Sequence, residues 1–105
     1  MRKENLYRYL VRQYRGVRSR KSASPKVAMD LCARCMKVER EFGVDLDKEL
    51  NGSDKSTHRL IEAMRRKFDS ASSVENSKRF ALYDMVTAVN RYGDFLTYEK
   101  RARRT

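Results

Sequence analysis

Residues 78–98 read KRFALYDMVTAVNRYGDFLTY, and the rest of the chain is organised around them. Leu82, Met85, Val86, Val89, Tyr92 and Leu96 recur at spacings of three and four. That is the period of a helix with one buried stripe. Arg79, Asp84, Asn90, Arg91 and Asp94 fall mostly off the stripe, where the helix meets water. A helix of this length is a rod about 30 Å long at roughly 1.5 Å per residue. In a chain of 105 residues such a rod is the piece the other helices pack on. Gly93 interrupts it, at a cost of about 1 kcal/mol against Ala inside a helix. It marks either a close approach of another backbone or a kink.

Moving outward toward the N-terminus, residues 69–77 (DSASSVENS) have the polar, Ser-rich composition of a loop, with Val74 placed to dip into a core. Before them, Ser53 or Asp54 caps a helix running to about Phe68, with Leu60, Ile61, Met64 and Phe68 as its stripe. Asn51-Gly52-Ser53 separates it from VDLDKEL (44–50), a turn with a short helical piece anchored by Val44, Leu46 and Leu50. The helix from Pro25 to Phe42 is marked at both ends. Ser24 is a preferred N-cap, Pro25 a preferred first residue, and Gly43 a left-handed closing cap. Its stripe is Ala28, Leu31, Cys32, Cys35, Val38 and Phe42. At the start, RKENLYRYLVRQY (2–14) places Leu6, Leu10 and Tyr14 on one face, flanked by Tyr7 and Val11. Arg2, Arg8, Arg12 and Arg15 lie on its other faces. Such a helix either lies on a phosphate backbone or an acidic partner, or packs with its charged side in water.

The chain has no Trp, one Pro and four Gly, and few β-branched residues in alternating runs. The reading is an all-α protein, a four- to five-helix bundle forming one domain. We divide it into a basic helix and arm (1–21), the bundle (22–98) and a basic tail (99–105). Net charge is +11, and its placement matters more than its size. Residues 1–26 hold nine Lys/Arg and one Glu, and residues 97–105 four Lys/Arg and one Glu. Residues 27–96 hold twelve charges of each sign, so the whole excess sits on the two ends. That asymmetry points to a polyanion. The polar linker RGVRSRKSAS (15–24) has four cations in seven residues, Arg15, Arg18, Arg20 and Lys21. An extended segment of this kind tracks phosphates or enters a groove; the plainer alternative is a solvated loop. Two cysteines without a signal-type leader lead us to expect a reducing cytoplasm. No run approaches the roughly 18 apolar residues of a membrane span.

Reactive chemistry is sparse. Cys32 and Cys35 form C-x-x-C, but there is no other cysteine, and the one histidine, His58, is distant in sequence. Zinc needs further ligands, and a redox pair needs a helix N-terminus to lower a thiol pKa. Here both thiols fall on the apolar stripe in mid-helix, the position of structural core residues. His58 reads as a surface or capping residue. Asp45, Asp47 and Glu49 lack calcium-loop spacing, and no glycine-rich phosphate loop is present. We expect no catalytic residue, metal or cofactor. Tyr7, Tyr9 and Tyr14 lie among arginines, a mixture that stacks bases or covers a duplex backbone, or that serves as core and rim packing.

SASPKVAMDLCARCMKVEREFGVDL (22–46), the helix ending at Phe68, and MVTAVNRYGDFL (85–96) together resemble the N-terminal core-binding (SAM-like) domain of tyrosine recombinases, the phage integrases. The likeness covers roughly residues 22–97. It lies in a Ser-rich lead-in, a helix ending near Phe-Gly, and a last helix carrying Ala88, Arg91, Tyr92, Phe95 and Leu96. It implies a helical domain, from a phage, mobile element or bacterium, that clamps one side of duplex DNA. The recombinase catalytic domain, with its Arg/His/Arg set and Tyr nucleophile, has no counterpart here, so no tyrosine is given that role. The expected function is non-catalytic binding of double-stranded DNA. Phosphates would be held by Arg12, Arg15, Arg18, Arg20, Lys21, Arg101, Arg103 and Arg104. The alternative is a helical interaction module whose basic ends meet an acidic protein.

Overall fold

Among the described residues five helices succeed one another: α1 (Lys3–Arg12), α2 (Pro25–Phe42), α3 (Leu46–Leu50), α4 (Asp54–Asp69) and α5 (Asn76–Arg104). The computed structural model describes residues 1–16, 20–50, 53–69 and 76–104, the side chains of 69, 76–81 and 104 excepted. Among the described residues there is no strand. The protein is an all-α, five-helix bundle. Val74, expected to reach the core, lies outside the described residues.

Local chemistry places the helix ends. The Ser24 hydroxyl accepts the Val27 N–H at 3.3 Å, and Gly43 closes α2 with φ 63° and ψ 38°. The Asp45 carboxylate accepts the Asp47 N–H at 3.0 Å, opening the single turn of α3. Ser53, rather than Asp54, caps α4: its hydroxyl accepts the Ser56 N–H at 3.2 Å. Ser56, the one buried polar residue among those described, turns its own hydroxyl onto the carbonyls of Leu50 and Ser53. This bond ties the start of α4 to the end of α3. α5 is longer than its apolar stripe requires. It continues through the basic tail to Arg104, so its 29 residues span about 43 Å. The molecule measures 47 Å along its longest axis.

α5 is the central rod. Met85, Ala88, Val89, Tyr92, Phe95 and Leu96 are buried along it, while Leu82 and Val86 are half-buried at its margin. Its broadest contact is with α2, whose Ala28, Leu31, Cys32, Cys35 and Val38 are buried. α4 contributes Leu60, Ile61 and Met64, and α3 contributes Leu46 and Leu50. α1 packs on α2 and α5, and its Leu6 and Leu10 have no solvent exposure. Of the two readings left open for this basic helix, the packed one is observed, with Arg8 and Arg12 on its outer face.

Gly93 is a close-approach site. A methyl group on it would lie 2.8 Å from the Thr57 hydroxyl, so α4 crosses α5 where a side chain is missing. The atoms nearest to that methyl position are those of the Thr57 side chain.

Candidate nucleic-acid interface

α1 ends at Arg12, and the N–H groups of Gln13 and Tyr14 both reach the Tyr9 carbonyl, at 2.8 and 2.9 Å. Arg15 then folds back. Its Nη1 donates to the carbonyls of Arg12 (3.2 Å) and Tyr14 (2.8 Å). A cation on carbonyls at a helix C-terminus is favoured by the unsatisfied acceptors and by the helix dipole. Arg15 therefore serves as a cap, and its hydrogen-bonding edge is partly used within the chain.

Backbone hydrogen bonds join the described residues on either side of 17–19. The Gly16 N–H donates to the Lys21 carbonyl at 3.0 Å, and the Arg20 N–H to the Gly16 carbonyl at 2.8 Å. Arg20 has φ 54°, in the left-handed region. The Ala23 N–H then donates to the Leu10 carbonyl at 3.0 Å, returning the chain to α1 before α2 begins. Arg20 and Lys21 are exposed. Arg18 lies outside the described residues.

α1 crosses the last third of α5 through a cluster of aromatic rings. Tyr9 meets Phe95 at 5.7 Å, Tyr98 at 5.3 Å and Tyr14 at 6.2 Å, and Phe95 meets Tyr92 at 5.4 Å. Two guanidinium groups lie over the cluster, Arg91 over Tyr14 at 5.0 Å and Arg2 over Phe95 at 5.3 Å. Burial, with the nearby Asp94 carboxylate, pushes the Tyr9 hydroxyl up to about 12.

Beside this crossing runs an open groove of about 260 Å³. Arg8, Arg12 and Asn5 of α1 form one wall, and Phe95, Tyr98 and Glu99 of α5 the other. Arg8 and Arg12 are exposed, four residues apart on one face, and neither side chain makes an ion pair with a described residue. The acid on the opposite wall is already neutralised: Arg2 holds the Glu99 carboxylate at 2.5 and 2.8 Å. Arg2 also lies 3.5 Å from Asp47. The uncompensated charge of the groove is therefore positive. Tyr98 keeps 40% of its surface exposed at the rim.

The C-terminal cations continue from this wall. Arg101 follows Tyr98 by one turn and shares its side of α5; Arg103 is turned about 140° away. Both are exposed. Arg104 belongs to α5, but its side chain is outside the described set. The structure thus puts Arg12 on the groove, leaves Arg101 one turn beyond its Tyr98 rim, holds Arg15 as a cap, sets Arg20 and Lys21 past the end of α1, and turns Arg103 away from the Tyr98 side. Sequence reasoning missed Arg8, Tyr9 and Tyr98 as parts of one surface. The spacing of Arg8 and Arg12 was visible, but the crossing with α5 was not.

Other candidates are accounted for by packing. Cys32 and Cys35 are free thiols without solvent exposure. Their sulfurs face the carbonyls of Lys3 (3.6 Å) and Ala88 (3.4 Å). Burial raises the pKa of both and pushes Cys35 up to about 12, the opposite of an activated thiol. His58 is exposed on α4. Asp47 accepts the Tyr92 hydroxyl at 2.6 Å as well as facing Arg2. Among the described residues no group of His, Cys, Asp and Glu could hold a metal ion. No helix among them is long and apolar enough to cross a membrane. Compared with protein-family models, with curated proteins and with solved structures, the chain matches none.

Proposed function

We propose that this chain is a non-catalytic DNA-binding helical domain, of the core-binding type its sequence resembles, that holds duplex phosphates along α1 and the exposed end of α5. The supporting observation is the groove between these helices, where Arg8 and Arg12 have no ion pair among the described residues and the facing acid, Glu99, is already held by Arg2. A phosphate entering there meets cations without displacing an internal ion pair. Arg101 extends the cationic wall one turn along α5, and Arg20 and Lys21 extend it past the end of α1. Asn5 and Gln13 add neutral donors, and the exposed edge of Tyr98 packs against sugar. Contacts of this kind fix position on the duplex and carry little sequence information.

A fluorescence titration of labelled duplex DNA across salt concentrations tests the reading. Five to eight phosphate contacts give a log–log slope of roughly −4 to −7, at about −0.9 per contact. Arg8→Ala with Arg12→Ala should flatten that slope by about 1.8. Lys55→Ala with Arg59→Ala on α4 removes the same charge elsewhere and should leave the slope nearly unchanged. A flat salt response of the unmodified chain, or equal effects of the two double variants, overturns the proposal.

A further inference from the structure

A second groove lies on the other flank of α1, against α2. It has a volume of about 340 Å³ and is lined by Tyr7 and Val11 from α1 and by Met29 and Cys32 from α2. Cys32 forms a fully buried floor, and Met29 stands 61% exposed above it. Met36 follows Met29 by seven residues, two turns along the same flank of α2, and is 45% exposed. Exposed methionines at this spacing are costly to leave in water, and their flexible thioethers adapt to varied apolar surfaces. The rim is charged. Lys3, Arg8 and Arg12 border the groove with a single acid, Glu4, and none of the four side chains makes an ion pair with a described residue.

We infer that this groove is a docking site for a short acidic amphipathic helix of another protein. An apolar trough between two helices accepts a third helix through anchors at i, i+3, i+4 and i+7. The uncompensated cations on its rim select acidic neighbours of those anchors. Duplex DNA is the poorer occupant, because its outer surface of phosphate and sugar gives Met29 little to bury against. A second copy of the chain is also poorer, since each copy carries a net charge of +11 and the two repel. Arg8 and Arg12 border both grooves, being the ridge between them. An acidic helix seated here therefore occupies cations that DNA uses on the other side, and the two ligands exclude each other. This last consequence rests on the DNA-binding reading; the docking itself does not.

The probe is a fluorescein-labelled helical peptide with Leu at the four anchor positions and Glu beside them. Two counterparts accompany it, one with Lys in place of Glu and one with Ser in place of Leu. The acidic Leu peptide should bind the intact chain at least tenfold more tightly than either counterpart. Met29→Gln, at an exposed position that does not support the core, should weaken that binding at least fivefold. It should change duplex affinity less than twofold, and excess acidic peptide should displace labelled duplex. Equal binding of the acidic and Lys peptides, or of the Leu and Ser peptides, overturns the docking site. So does a Met29→Gln variant that loses duplex and peptide alike, which would give the groove to nucleic acid. A chain dimer that Met29→Gln disperses would give it to a second copy and likewise overturn the inference. Absence of any duplex binding removes the DNA-binding reading and the competition, while the peptide titration still decides the docking.

Discussion

Tyr92 joins three parts of the molecule through one hydroxyl. The ring is fully buried, and the hydroxyl donates to Asp47 at 2.6 Å and accepts the Arg2 N–H at 3.0 Å. Tyr92→Phe keeps the packing and removes both bonds, so it should cost about 1–2 kcal/mol, read as a lower urea midpoint with an unchanged m-value. Cys35 makes a pH-dependent contribution. Burial holds its thiol protonated up to about 12 in the fold, whereas the unfolded thiol ionises near its ordinary value of 9.0. Above that value the unfolded chain binds fewer protons than the native one, so stability falls as pH rises; below it the contribution is complete. Tyr9 acts in the same direction between its ordinary 10.0 and about 12. Urea unfolding should therefore show a loss on the order of 2 kcal/mol from Cys35 between pH 9 and 10.5. Cys35→Ala, which lowers stability overall, should show a shallower decline across that window. The burial of both thiols was legible from the helical period alone. The capping role of Arg15 was not, because a guanidinium in a basic run carries no mark of which carbonyl it will meet.

At the scale of the helices, the crossing of α4 and α5 is decided by one missing side chain. Gly93→Ala improves helix propensity by about 1 kcal/mol, but its methyl meets the short, β-branched Thr57 at 2.8 Å. The collision should outweigh the gain and leave the variant about 1 kcal/mol less stable. In a Thr57→Ala background the same substitution should instead stabilise by about 0.5–1 kcal/mol, and a double-mutant cycle of unfolding free energies reads this reversal. α2 behaves as its sequence announced, because Ser24, Pro25 and Gly43 act within one turn of their own positions. Ser24→Ala should cost about 1 kcal/mol, measured as a lower thermal midpoint. The end of α5 was less legible. Glu99, Lys100 and Arg101 suit a helix or a frayed tail equally, and the outcome depends on contacts such as Arg2 with Glu99 that join residues 97 positions apart.

For the whole molecule, the basic N-terminal helix is structural as well as cationic. Leu6 and Leu10 are fully buried, and burial of two such side chains contributes about 3–6 kcal/mol. That is a large fraction of the roughly 5–15 kcal/mol that stabilises a small domain. A chain lacking residues 1–21 should therefore lose cooperative thermal unfolding in circular dichroism, and not merely lose ligand binding. The charge pattern leads to the same region from a different side. The neutral stretch builds most of the bundle. Arg2, Arg8 and Arg12 of the basic N-terminal end lie where α1 crosses α5, and the helix that carries Arg8 and Arg12 also builds the core.

Local chemistry, read from the chain alone, determined the all-helical class, the caps of α2, the apolar stripes of α2, α4 and α5, and the placement of charge at the two ends. Each of these follows from interactions within a turn or two of the residue concerned. Tertiary structure alone decided that α1 joins the core, that Gly93 admits Thr57, and that Arg8 and Arg12 form a ridge between an aromatic groove and a methionine groove. Those outcomes depend on the angle and depth at which helices distant in sequence cross, and periodicity along a single helix holds no record of its neighbours.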